Sequence, residues 1–134
     1  MSHSILDACD PSNKLNLEKG TVLLKEGTRS GFLYVLAVGS VEVLRGQVVV
    51  ASTAEAGAIF GEMSMLLGTA HTATVRASSD CVVYAFADAA AYLRAHPEFN
   101  FEIARLLAQR LREATSTIVD LNESVRGAGN IWAW

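Results

Sequence analysis

Residues Phe60–Ala77, FGEMSMLLGTAHTATVRA, bring together the residue types that could hold an anion. The stretch reads as a strand ending at Phe60, a tight Gly61-Glu62 turn, one helical turn Met63–Leu66, a Gly68-Thr69 loop and a strand Thr72–Ala77. A glycine ahead of a helical start lets the backbone approach a ligand closely, and the first turn then offers unpaired N–H groups and a positive dipole end. Glu62 beside such a site would repel a phosphate unless its carboxylate faces elsewhere, for instance toward sugar hydroxyls. His71 offers one donor per ring nitrogen and is mostly neutral at pH 7.

The elements that must position these residues divide by hydrophobic period. Candidate strands are Asn13–Leu17, Thr21–Lys25, Phe32–Val38, Val41–Leu44, Gln47–Thr53, Ala58–Phe60, Thr72–Ala77 and Cys81–Ala87, with turn signals at Lys19-Gly20, Glu26-Gly27, Ser30-Gly31, Gly39, Arg45-Gly46 and Ala56-Gly57. Eight short strands at this spacing predict an antiparallel sandwich or barrel, of which the jelly roll is a natural member. From Asp88 onward the pattern is helical. Asp88 can cap a short helix Ala89–Ala95, His96-Pro97 interrupts it, and a long helix follows from about Glu98 to Val125, ending before Gly127. The expected fold is therefore mainly β with C-terminal helices (α+β): an eight-stranded antiparallel β-roll, a short helix and a long helix of about 98–126. Residues 1–127 form the expected domain and 128–134 a tail carrying Trp132 and Trp134.

Within the long helix, Leu107, Leu111, Ala114, Ile118, Leu121 and Val125 are spaced 4, 3, 4, 3 and 4, a heptad seam with Arg105, Arg112, Glu113, Ser116, Asp120 and Glu123 off it. It predicts either a helix covering one face of the roll or a homodimer, and its length favours the dimer.

Composition excludes several classes. The chain has 134 residues, is 51% hydrophobic and 19% charged, and carries a net charge of −3. These values fit one globular domain and argue against general affinity for nucleic acid or anionic membranes. No apolar run reaches transmembrane length, and MSHSILDACD does not read as a signal peptide, so a cytoplasmic protein is expected. Cys9 and Cys81 lack metal-ligand spacing and read as reduced structural thiols. His3, His71 and His96 also lack such spacing, and no nucleophile elbow or Walker loop occurs, so neither an enzyme, a metal nor a bound cofactor is expected.

The central segment resembles the phosphate-binding cassette of cyclic nucleotide-binding domains, F-G-E-hydrophobic-small-hydrophobic, a short loop, then R-x-A-[ST]-V. Phe60, Gly61, Glu62, Met63, Ser64 and Met65 match the first half, and Ala73, Thr74 and Val75 the second. The turns Leu17-Glu18-Lys19-Gly20-Thr21-Val22, Glu26-Gly27 and Gly39-Ser40-Val41-Glu42-Val43 are similar to those of the family's β-roll. At the family's arginine stands His71, and Ala70 takes the place of a frequent proline.

What the resemblance implies can be written residue by residue. Gly61 and the backbone around Met63 and Ser64 would face the cyclic phosphate, and Glu62 the ribose 2′-hydroxyl. His71 would replace the phosphate's arginine, with Thr72 offering a hydroxyl and Ala73 an N–H. Thr115 would lie where related activators present a hydroxyl to the base. The implied function is a ligand-sensing module that binds cAMP or cGMP weakly or in an altered mode. The alternative is a degenerate domain used in dimerisation or protein contact, or a regulatory fragment of a larger transcription factor, channel or enzyme. In the catabolite activator family a helix-turn-helix follows the long helix. Here the sequence ends soon after it and Arg110, Arg112 and Arg126 form no cluster for a major groove, so direct DNA binding is not expected.

Overall fold

The computed structural model describes residues 5–126, with side chains to residue 123. After two short 3-10 turns, Ile5–Ala8 and Pro11–Asn13, eight strands run β1 Lys14–Leu17, β2 Val22–Leu24, β3 Leu33–Val38, β4 Val41–Arg45, β5 Val48–Thr53, β6 Ile59–Phe60, β7 Thr74–Ala77 and β8 Cys81–Phe86. Helix α1, Glu62–Leu67, lies between β6 and β7, and α2, Ala89–Ala95, and α3, Pro97–Arg126, close the described chain. The chain divides into two units, Met1–Phe99 and Asn100–Trp134.

In the first unit the strands form two four-stranded antiparallel sheets, ordered β1-β8-β3-β6 and β2-β7-β4-β5. This is the expected jelly-roll β-roll. Alternation along the strands explains the packing. In β7, Val75 and Ala77 are buried while Thr74 and Arg76 are only partly so, as a period of two dictates. One buried cluster joins Leu23, Leu24, Val41, Val75 and Ala77 of the second sheet to Leu36, Cys81 and Val83 of the first, with Phe32, Tyr34 and Phe60 packed against it. A second apolar contact gathers Phe86, Tyr92 and Phe99, whose ring centroids lie 4.4 to 5.1 Å apart, a separation at which aromatic pairs attract beyond their buried area. Asp88 caps α2 as expected, its Oδ1 accepting from Ala91 N–H at 3.2 Å.

The strand expected over Thr72–Ala77 begins only at Thr74. His71 is tied by its own backbone to the β2–β3 loop, accepting from Gly27 N–H and donating to Thr28 O, both at 2.8 Å. Thr72 and Ala73 bend between that tie and the ladder. The helical turn expected at Met63–Leu66 is one residue longer at each end. Cys9 and Cys81 are buried free thiols, and burial pushes the Cys9 thiol up to about 12. No described helix is long and apolar enough to cross a membrane.

The described part of the second unit is the remainder of α3. Of the expected seam, Leu111 is 62% exposed, Ile118 47% and Leu121 60%. The Val125 side chain and the tail with Trp132 and Trp134 lie outside what is described.

Candidate functional site: the cassette between the two sheets

The segment from Phe60 to Ala73 is the crossover from β6, at the edge of one sheet, to β7, inside the other. Phe60 pairs with Tyr34 of β3, which anchors the start of the crossover in the core. Gly61 follows at φ 95° and ψ −2°, a left-handed conformation that strains any residue bearing a Cβ. Such a Cβ would stand 2.3 Å from the Phe32 carbonyl oxygen. Glycine is required twice over, for its dihedral and for its lack of a side chain.

Helix α1 then starts without a side-chain cap and closes at Gly68, whose N–H donates to Ser64 O at 2.9 Å. Glu62 and Ser64 face inward on this helix, and Glu62 is only 6% exposed. Met63, Leu66 and Leu67 are exposed. The Ser64 hydroxyl donates to Thr69 O, so its oxygen braces the loop that leads to His71. The expected role of Ser64 was a backbone contact, and the side-chain brace leaves that role open.

His71 is buried, 6% exposed. Its Nε2 lies 2.9 Å from Ser30 Oγ, and with the two backbone bonds to residues 27 and 28 it pins the cassette loop to the β2–β3 loop. Glu26 N–H adds a further tie, donating to Thr74 Oγ1 at 3.0 Å. Burial lowers the His71 pKa below its ordinary value of 6.5, because desolvation penalises the charged ring. The ring is therefore neutral at pH 7 where an arginine would be charged. Arg76, within β7, does not fill that gap. Its Nε donates to Glu42 Oε1 at 2.8 Å, across the β4–β7 ladder.

Of the expected site residues, Phe60, Gly61, Glu62, Met63, Ser64, His71, Thr72 and Ala73 belong to this one crossover in the first unit. Thr115 belongs to the second unit, on α3, where its Oγ1 donates to Leu111 O at 2.8 Å. Sequence reading missed Thr28, Ser30 and Phe32. Ser30 and His71 are 41 positions apart, and nothing local to Ser30 announces the pairing. Among the described residues no group of three or more His, Cys, Asp or Glu could hold a metal ion.

A β-roll whose sheets are bridged by a glycine-led cassette of this kind defines a class of regulatory domain, and comparison with known proteins agrees. The family model of the cyclic nucleotide-binding domain matches residues 14–92. The chain belongs to that family. It is 31% identical over 80 residues to a cAMP-dependent protein kinase regulatory subunit of Mucor circinelloides f. lusitanicus, covering 60% of this chain and 18% of that one. Among solved structures it is similar to the catabolite activator protein of Thermus thermophilus, at 29% identity and a TM-score of 0.67, covering 88% of this chain and 57% of that one. It is also similar to a cyclic nucleotide-binding domain from Methylobacillus flagellatus, at 27% identity and a TM-score of 0.62, covering 81% and 68%. The chain thus spans less than a fifth of the fungal relative and just over half of the Thermus protein.

Proposed function

We propose that residues 1–127 form a ligand-sensing regulatory domain that binds a cyclic nucleotide, cAMP or cGMP, weakly or in an altered mode. The observation that carries this reading is the pairing of a cassette turn built around Gly61 with a neutral, buried His71 at the family's arginine position. Helix α1 begins at this turn without a side-chain cap, as a site for a phosphate would require. The histidine withholds the permanent charge and bidentate fork that an arginine would supply. Gly61, Met63 and Ser64 then contact the phosphate, Glu62 the ribose, and His71, Thr72 and Ala73 the remaining phosphate oxygens. The domain acts as a regulatory module, not a catalyst, in the cytoplasm on a downstream partner or a larger polypeptide.

A thermal-shift screen of cyclic mono- and dinucleotides tests the reading, since a ligand that binds the native state raises the melting temperature. A rise with cAMP or cGMP at millimolar concentration is expected. No rise with any of them selects the second reading, a degenerate domain used for dimerisation.

That second reading has its own observation, the exposed Leu111, Ile118 and Leu121 on the heptad seam, and a homodimer through this seam is compatible with either function. Leu111→Glu is expected to convert a dimer to a monomer in sedimentation equilibrium. An unchanged mass removes the seam from the account.

A further inference from the structure

We propose that Ser30 sets the tautomer of His71, donating its hydroxyl to Nε2 so that the neutral ring carries its proton on Nδ1 and offers Nδ1–H to an anion. A neutral imidazole has one donor and one acceptor nitrogen, and the partner of one decides the role of the other. Here Nε2 has a partner, Ser30 Oγ at 2.9 Å. The direction we assign to that bond rests on where the serine's hydroxyl proton can go. Phe32 N–H donates to the same Oγ at 3.3 Å and takes one of its two lone pairs, and among the described residues Nε2 is the one acceptor bonded to Oγ that can receive the hydroxyl proton. Nδ1 has no hydrogen-bond partner among the described residues, and it is not sealed off within the protein.

The result is a short chain of donors: Phe32 N–H to Ser30 Oγ, Ser30 O–H to His71 Nε2, and His71 Nδ1–H outward. Phe32 is also the residue whose carbonyl forbids a side chain at Gly61, so one residue orders both halves of the cassette. A buried ring that is hard to charge can then still donate a hydrogen bond to a phosphate oxygen. Ser30 is a positioning residue that acts through His71. This inference rests on reading the cassette as an anion site.

The test is the ring ¹⁵N–¹H correlation spectrum of the whole chain at pH 8, with His71 assigned by its loss in His71→Gln, together with cAMP titration. The wild type is expected to show His71 protonated at Nδ1. Ser30→Ala is expected to move the population toward Nε2–H and to weaken cAMP binding about three- to tenfold, the worth of one neutral hydrogen bond. Ser30→Thr, which keeps the hydroxyl, should preserve both. A wild-type ring protonated at Nε2, or a tautomer indifferent to Ser30→Ala, overturns the proposal. A chain that binds no cyclic nucleotide yet shows the Ser30-dependent Nδ1–H tautomer overturns the ligand reading alone and leaves the role of Ser30 standing.

Discussion

The two halves of the cassette differ in what fixes them. From Phe60 to Ser64 the constraint is steric: Gly61 has neither the dihedral nor the space for another residue, and Phe60 is held in the ladder. From Thr69 to Ala73 the constraint is a set of hydrogen bonds to a distant loop, through Thr28, Ser30 and Gly27. A steric constraint tolerates no exchange, whereas a hydrogen-bonded one accepts any residue that can make the bonds. The half that shapes the backbone therefore keeps the family's residues, and the half that supplies charge is the one that has changed.

The comparison breaks first at Gly61. Gly61→Ala combines a left-handed alanine with a Cβ against the Phe32 carbonyl, and should cost at least about 2 kcal/mol of folding stability in urea denaturation. A loss below about half a kcal/mol would mean that the turn relaxes freely and that its geometry specifies little. Next, His71→Arg restores the charge-assisted fork and should tighten cAMP binding by about tenfold or more in calorimetry. If the variant folds and binds no better, the first half of the cassette is also unfit for phosphate.

The pH dependence of folding sharpens the contrast further. Burial lowers the His71 pKa, so between the folded and the ordinary value the unfolded chain binds the proton and the native state does not. The stabilisation is fully present above about 6.5 and is lost as pH falls through the lowered native value. Melting temperature should thus fall on acidification more in the wild type than in His71→Gln, and equal slopes would refute a buried neutral ring. The smallest effect is expected at Arg76. Its guanidinium is engaged by Glu42, so Arg76→Gln should change cAMP affinity less than about twofold and stability by no more than about 1 kcal/mol. A large loss of affinity would identify Arg76 as the missing cation.

Much of the architecture was legible because the roll is built from alternation and punctuation. All eight strands and the capped α2 lie where period, glycines and Asp88 place them, within a residue or two. The 3-10 turns at Ile5–Ala8 and Pro11–Asn13 carry no such periodic signal. The cassette itself was legible as a motif, down to Gly61 and Glu62. The environment of His71 was not. A histidine in sequence reads as a mobile donor facing solvent or ligand, and only the fold brings Thr28 and Ser30 across to bury it and occupy Nε2. The start of β7 slipped for the same reason, since a bond to a remote loop, not local propensity, decides where the ladder begins.

The central claim, that this cassette holds a cyclic phosphate with a titratable histidine, neutral in the unliganded domain, in place of a permanent cation, meets its most direct test in calorimetric titration of the wild-type chain with cAMP and cGMP at pH 8 and pH 6. The account predicts weak binding that strengthens at pH 6, because the anion favours the imidazolium and raises its pKa. Affinity that is the same at both pH values, or no heat of binding at either, would contradict it.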